Sequence, residues 1–408
     1  MKKCGLLGRK LGHSYSPEIH RHLGDYHYDL YEKEPEALED FLKNGDFDGL
    51  NVTIPYKTAV IPYLDGLSPL ARRLGAVNTI VRTETGQLIG HNTDYFGFVS
   101  MVQKSGLEVS GKKCLVLGSG GVSKPVIAAL EELEARVVVI SHRENTPETL
   151  KNHPDAAIII NTTPVGMYPN APESPVDLDL FPALEGVLDL IFNPARTGLM
   201  LHAERRGLVA MVGLWMLVAQ AKEASEWFTG RKIPDGEIAG IHRLLQRQME
   251  NIVLIGMPGC GKSTVGRLLS EALGRPLVDT DEKIIALAGK SIPQIFAEDG
   301  EARFRELETQ VLAELGKQSG LIIATGGGCV TQERNYPLLH QNGRIFWLRR
   351  DIGLLPTQGR PLSQANRLSD LYALRKPLYA AFADHEIDNN GTLAAAAGAI
   401  RGILEEKP

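Results

Sequence analysis

The nine residues Gly256-Met257-Pro258-Gly259-Cys260-Gly261-Lys262-Ser263-Thr264 fit GxxxxGK[ST], a spacing whose chemistry is phosphate binding. The glycines let backbone N–H groups face phosphate oxygens, the following helix N-terminus adds positive potential, and Lys262 neutralises the β and γ oxygens. Ser263 offers a hydroxyl to a phosphate-bound Mg²⁺, and Gly259, Cys260, Gly261 and Thr264 complete the cradle. Such a loop needs a strand before it and a helix after it. The apolar run Asn251–Ile255 and the helical pattern from Val265 to Leu273 meet that need.

A second glycine-rich turn, Gly118-Ser119-Gly120-Gly121-Val122-Ser123, follows the apolar run Cys114–Leu117 and precedes a helix beginning near Lys124. That placement is the βα turn of a dinucleotide site, with Ser123 small enough for close helix packing. The end of the next strand decides the cofactor. An NAD site places an acid there, whereas Ser141-His142-Arg143 offers cations suited to the 2′-phosphate of NADP. The bland alternative for Arg143 is a solvated turn residue, and Glu144, which follows it at once, weakens the NADP reading without reversing it.

The elements that must position these loops fall into three blocks of alternating strands and helices. They run from Cys4 to about Leu107, from Lys113 to about Val212, and from Asn251 onward, and the alternation predicts doubly wound α/β architecture in each. At 408 residues, two or three domains are expected. No Gly/Ser/Pro-rich linker separates the second block from the third. A helix predicted over 235–248, with Ile238, Ile241, Leu244 and Leu245 at helical spacing, runs into a seam close to Met249. From Met249 on there are 18 Lys+Arg and 19 Asp+Glu, against 26 and 30 before it, so neither part carries a nucleic-acid surface. No apolar run approaches the ~20 residues of a membrane span, and the N-terminus reads as a strand rather than a secretion signal. Cys4, Cys114, Cys260 and Cys329 form no Cys-x-x-Cys pair, so buried free thiols in a reducing, cytoplasmic setting are expected.

Beyond the phosphate loop, Asp279-Thr280-Asp281, Phe304-Arg305-Glu306-Leu307-Glu308, Gly326-Gly327-Gly328, Gly359-Arg360-Pro361-Leu362 and Arg375-Lys376-Pro377-Leu378-Tyr379 follow in order. Singly, an Asp-x-Asp is often a helix cap and three glycines a turn. Together they resemble shikimate kinase across residues 250–404. The resemblance implies ATP and Mg²⁺ as cofactors, with Ser263 and Asp279 holding the metal. It assigns the substrate carboxylate to Arg305 and Arg375, and the reacting hydroxyl to Asp281, as orienter or base. Gly326, Gly327 and Gly328 would let the substrate approach the backbone closely. Arg360, in the lid segment, would touch ATP and stabilise the transferring phosphoryl group. The lid Leu354–Gly359 is short and lacks a second arginine found in some relatives.

In the first two blocks, Ser14-Tyr15-Ser16-Pro17, Asn51-Val52-Thr53-Ile54-Pro55-Tyr56-Lys57, Gly75-Ala76-Val77-Asn78-Thr79 and Asn92-Thr93-Asp94 come in order. Asn161–Met167 and Gly213–Gln220 continue the series. These segments resemble shikimate dehydrogenase over residues 4–248. Taken alone, Ser14, Ser16, Asn92 and Asp94 also suit helix caps, and Lys57 a solvated surface. The resemblance implies that Lys57 is the general acid, paired with Asp94, in hydride reduction of the 3-dehydroshikimate ketone by NADP(H). An ammonium exchanges protons near neutral pH only when its surroundings tune it. Asn78, Thr53 and Gln220 would bind substrate hydroxyls, and Ser14 and Ser16 its carboxylate. The cofactor contacts would be Gly118, Ser119, Gly120, Gly121, Val122, Ser141, His142, Arg143, Leu190 and Gly213. Three departures stand out. Phe192 replaces a usual Tyr, a loss of roughly 0.5–1.5 kcal/mol of binding. Trp215 stands where a small residue is usual, close to the expected nicotinamide, and the Arg143–Ala156 crossover is short.

The two resemblances imply an α/β chain with a substrate-binding domain at 1–107, on which helices from 213–248 pack back. A Rossmann NADP domain at 108–248 and a P-loop kinase domain at 249–408 follow. Two consecutive reactions on one oxygen are then expected, with 3-dehydroshikimate and shikimate as partners, no nucleic acid or membrane, and a monomer or homodimer. One alternative makes the first half a quinate dehydrogenase using NAD. Another is a retired, metabolite-sensing regulator, against which stand the retained Lys57, Asp94, Lys262, Asp279, Asp281 and Arg305.

Overall fold

A helix-length segment between two apolar runs returns the chain to the same edge, so the strands pair in parallel; a short turn forces antiparallel pairing. Both cases occur in the first block of the computed structural model, which describes residues 1–12, 14–169, 171–355 and 368–405. Strands β1 (Lys3–Gly8), β2 (His27–Glu32), β3 (Gly49–Val52), β4 (Gly66–Leu67), β5 (Thr79–Arg82) and β6 (Leu88–His91) form one sheet in the order β2-β1-β3-β5-β6-β4. β5 is antiparallel to β3 and to β6, so this sheet is mixed and departs from the doubly wound expectation. The cause is local. A tight turn closed by Thr83 N–H to the Gln87 carbonyl at 2.8 Å leaves no room for a crossover between β5 and β6. Leu7, Leu50, Val52 and Ile80 meet Leu38, Leu42 and Val60 in a core beneath the sheet. Each such burial stabilises by about 1.5–3 kcal/mol.

The second block keeps the parallel rule. Strands β7 (Lys113–Leu117), β8 (Arg136–Ile140), β9 (Ile158–Asn161), β10 (Gly186–Asp189) and β11 (Val209–Val212) lie in the order β11-β10-β9-β7-β8. The third block does the same with β12 (Asn251–Ile255), β13 (Leu277–Asp279), β14 (Ile322–Ala324), β15 (Gly343–Arg349) and β16 (His385–Asp388), ordered β13-β14-β12-β15-β16. By internal contacts the chain divides into two units, residues 1–192 with 199–245, and residues 193–198 with 246–408. The first unit holds two sheets and the second unit one. In the helix Gly236–Met249, Ile238, Ile241 and Leu245 are buried while Leu244 is exposed. Steps of three and four residues put the first three on one face, and Leu244 falls outside it. All four cysteines are buried and free. Among the described residues no helix is long and apolar enough to cross a membrane.

Three histidines in the first unit are held neutral by burial. His20 stacks on Tyr28 at 4.0 Å and lies 2.6 Å from the Tyr26 hydroxyl, and its pKa is pushed down to about 3. His91 stacks on Trp227 at 3.7 Å, and burial lowers it to about 4, as it does His242. Each folded value lies below the ordinary 6.5, so the unfolded chain binds protons that the folded chain refuses. Stability therefore falls as pH drops from about 6.5 toward 4, by up to ~1.4 kcal/mol per pH unit for each ring. Urea midpoints at pH 7 and pH 5 should separate less in His20→Gln than in the parent; equal separations would refute this account.

Candidate active sites

The mixed sheet gathers the first set of residues at one edge. Chain leaves β1 toward Ser14 and Ser16, and leaves β3 toward Thr53 and Lys57. β5 is antiparallel to β3, so its start, with Asn78 just before it, lies beside the end of β3 (Asn51 opposite Thr79). β6 reverses again, so its end delivers Asn92, Thr93 and Asp94 to that place (Thr79 opposite His91). There the Lys57 ammonium donates to Asp94 Oδ2 at 2.6 Å, with side chains 17% and 9% exposed. Asp94 is thus committed to Lys57 rather than to capping its helix, whose Tyr95 N–H turns to Asn92 Oδ1 at 3.4 Å. Val77 N–H donates to the Lys57 carbonyl at 2.7 Å and ties the lysine segment to the strand carrying Asn78.

Gln220 arrives from the helix Leu214–Thr229, which packs on the helix Asp94–Ser105. Thr93 Oγ1 lies 3.0 Å from Asn78 Nδ2 and 3.3 Å from Gln220 Oε1, joining three segments. The helices approach closely at Gly97, where an added Cβ would sit 2.8 Å from the Met216 carbonyl and 3.0 Å from Gln220 Cβ. Gly97→Val is expected to destabilise the first unit by ~1–3 kcal/mol and to raise KM for its substrate by displacing Gln220. Thermal melting and steady-state kinetics check this, and an unchanged KM would contradict it. Phe192, in place of the usual Tyr, meets the ring of Tyr15 edge-on at 6.1 Å and so lies beside the Ser14–Ser16 segment. Trp215 is held by polar and charged partners within the first unit. Its indole N–H donates to Ser100 Oγ at 2.9 Å, with Lys104 over the ring and His242 at 5.4 Å.

The parallel sheet of the first unit aligns every candidate cofactor segment at its carboxyl edge, with the strand order reversing at β9-β7, where dinucleotides bind. Gly118–Val122 follows β7, Ser141–Arg143 follows β8, Leu190 follows β10 and Gly213 follows β11. Gly213 donates its N–H to the Ile191 carbonyl at 3.0 Å. Ser123 Oγ donates to the Gly120 carbonyl at 2.7 Å and closes the glycine turn onto its helix. One expectation changes here. An acid does stand at the β8 tip, because Glu144 folds back to accept from Ser141 N–H at 3.0 Å and Ser141 Oγ at 2.6 Å. These bonds lower the Glu144 pKa, and its charge shares the tip with exposed His142 and Arg143.

In the second unit the carboxyl edge of the sheet opens on a cavity of ≈590 Å³. The phosphate loop, Asp279, Asp281, Arg305, Gly326–Gly328 and Arg375 all line it. Lys262 Nζ is held inside the loop by the carbonyls of Gly256 at 2.9 Å and Met257 at 3.1 Å. Ser263 Oγ donates to Asp279 Oδ2 at 2.6 Å. The other Asp279 oxygen accepts from Asp281 N–H at 3.0 Å, so Asp279 is a helix cap and a candidate metal ligand at once. A hydroxyl beside a carboxylate is a hard oxygen pair, the donor set that suits Mg²⁺ when phosphates and water complete its shell. Arg375, 4% exposed, donates to the Gly327 carbonyl at 3.1 Å, and the Tyr379 hydroxyl donates to the same oxygen. A Cβ on Gly328 would fall 2.3 Å from Arg305 Nη2. That glycine makes room for the guanidinium. Arg360 lies outside the described residues.

Two residues with evident roles went unassigned in the sequence. Glu308, 0% exposed, accepts from Arg305 Nη1 at 2.8 Å, while Glu301 takes Nη2 at 3.1 Å. Burial pushes the Glu308 carboxyl up, and Arg305 pulls it the other way. The three-residue spacing from Arg305 on a helix was the available signal. Thr93 carried no such signal, since nothing in Asn92-Thr93-Asp94 shows which side chain turns inward.

Comparison with known proteins finds two families in the one chain. The family model for the shikimate dehydrogenase substrate binding domain matches residues 6–80, and that for shikimate kinase matches residues 258–404. A shikimate dehydrogenase (NADP(+)) of Clostridium perfringens is 35% identical over 270 residues, which cover 60% of this chain and 99% of that protein. Among solved structures, a chorismate mutase/shikimate 5-dehydrogenase fusion protein from Clostridium acetobutylicum superposes with a TM-score of 0.57 at 36% identity, covering 60% of this chain and 97% of that one. A shikimate 5-dehydrogenase from Thermus thermophilus, in complex with NADP(H) and shikimate, gives 0.53 at 30% identity, covering 60% and 99%.

Proposed function

We propose, for a chain that belongs to the shikimate dehydrogenase family and carries a shikimate kinase domain behind it, that one polypeptide reduces 3-dehydroshikimate to shikimate and then phosphorylates the 3-hydroxyl it has just made. The observation that carries the reading is the Lys57–Asp94 pair at 2.6 Å, assembled from β3 and β6 among amide donors. Bound NADPH supplies the hydride to the first site and bound MgATP the phosphoryl group to the second.

In the first unit, charge builds on the substrate's C3 oxygen as its carbon is reduced. Lys57 donates a proton to that oxygen, and the Asp94 carboxylate holds the ammonium in place and compensates its charge. Ser14 and Ser16 hold the substrate carboxylate, while Thr53, Asn78 and Gln220 hold its hydroxyls. The glycine turn Gly118–Val122 takes the dinucleotide phosphates, and His142 and Arg143 face the 2′-phosphate against the nearby Glu144 charge. In the second unit, Arg305 and Arg375 hold the shikimate carboxylate, and Asp281 orients the 3-hydroxyl and accepts its proton. Lys262 and the loop N–H groups hold the phosphates, and Ser263 and Asp279 hold Mg²⁺. We assign residues 1–107 and 108–248 to substrate and NADP lobes, 249–408 to the kinase, and the whole to the cytoplasm.

Steady-state kinetics with shikimate against quinate, and NADP against NAD, test the dehydrogenase assignment. A preference for shikimate with NADP is expected. A clear preference for quinate with NAD would overturn it.

A further inference from the structure

We infer that Thr93 is a positioning residue of the dehydrogenase site, its hydroxyl bracing the amides of Asn78 and Gln220 against each other; this rests on the reading above that those two amides bind the substrate. The oxygen and nitrogen of an amide have nearly the same shape, so partners decide its orientation. For Asn78 the deciding partner is main chain. Thr93 N–H donates to Asn78 Oδ1 at 2.7 Å, so the oxygen must face it, and Nδ2 then donates to Thr93 Oγ1 at 3.0 Å. Gln220 is anchored from the other side, again by main chain. Its Nε2 donates to the Leu217 carbonyl at 2.9 Å, which turns Oε1 toward Thr93 Oγ1 at 3.3 Å.

The Thr93 hydroxyl, in a residue 1% exposed, therefore joins two amides whose orientations are already set. It accepts from one and donates to the other. Upstream, Thr79 Oγ1 lies 3.2 Å from Asn78 Oδ1 and receives Asn51 Nδ2 at 3.3 Å, and Asn51 Oδ1 accepts from the Tyr28 hydroxyl at 2.8 Å. Hydrogen bonds thus connect Tyr28 through Asn51, Thr79, Asn78, Thr93 and Gln220 to the Leu217 carbonyl, and Thr93 Oγ1 also lies 3.2 Å from both Asn78 Oδ1 and Thr79 Oγ1. Each amide gives one N–H to this chain and keeps one. Asn78 and Gln220 thus offer single donors, which suit the lone pairs of hydroxyl and keto oxygens. A flipped amide would offer lone pairs instead. Asp94 is the next residue after Thr93, so the same hydroxyl fixes the segment that holds Lys57.

Thr93→Val keeps the shape of the side chain and removes the hydroxyl. It is expected to raise KM for shikimate about tenfold, with a much smaller change in kcat and none in KM for NADP. Thr93→Ser, which restores the hydroxyl, should return KM close to the parent value. An unchanged KM in Thr93→Val would overturn the inference. So would a serine variant as impaired as the valine variant, because methyl packing would then be the cause. If Thr93→Val fails to fold, Thr93→Ala against Thr93→Ser gives the same comparison. Asn78→Ala and Gln220→Ala test the premise separately. If neither raises KM for shikimate, the substrate-site reading fails; if both do while Thr93→Val is silent, only the positioning role fails.

Discussion

Lys57→Ala is expected to lower dehydrogenase turnover by ~10²–10⁴-fold, the range over which a positioned general acid acts, while phosphorylation of shikimate continues at the parent rate. The lysine's 2.6 Å bond to Asp94 is made within the first unit. Lys262→Ala should give the mirror result, with kinase turnover down ~10²-fold or more and dehydrogenase turnover intact, because its contacts are carbonyls of its own loop. Assaying both reactions on both variants makes a four-way comparison. If either substitution silenced both activities in a folded protein, independent sites would be the wrong description.

Arg305→Met should cost both stability and substrate binding in the kinase unit, and the two losses can be separated. Arg305 and Glu308 are 6% and 0% exposed, so removing the guanidinium leaves a carboxylate buried without its partner. Breaking such a pair costs about 3–5 kcal/mol, whereas replacing both members with apolar groups is often neutral. Arg305→Met alone should therefore melt early, and Arg305→Met with Glu308→Leu should regain most of that loss. Neither should recover shikimate affinity, because the cation that holds the carboxylate is gone from both. Melting curves and KM for shikimate decide the matter. An unaltered KM in the stable double variant would remove Arg305 from the substrate site.

What was legible in the sequence depended on how local each requirement is. The phosphate loop is nine contiguous residues whose glycines and lysine are demanded by backbone geometry, and it lies where its flanking strand and helix predicted. The Lys57–Asp94 pair spans 37 residues and depends on the reversal at β5. No spacing rule announces that reversal, so only the family resemblance placed the pair. Leu244 was misplaced by one residue of helical phase. Glu144 was read only as following Arg143, because a turn that folds a carboxylate back onto Ser141 leaves no mark in the order of residues. The glycines at 326–328 were expected where the substrate approaches the backbone. What comes close to Gly328 is Arg305, which shape alone revealed.

On this reading one chain makes the 3-hydroxyl of shikimate and then phosphorylates it. A single reaction containing the purified protein, 3-dehydroshikimate, NADPH, ATP and Mg²⁺ tests it most directly. Oxidation of NADPH, release of ADP and accumulation of shikimate 3-phosphate are expected. Folded protein that yields no shikimate 3-phosphate, whether it stops at shikimate or never consumes NADPH, would contradict it.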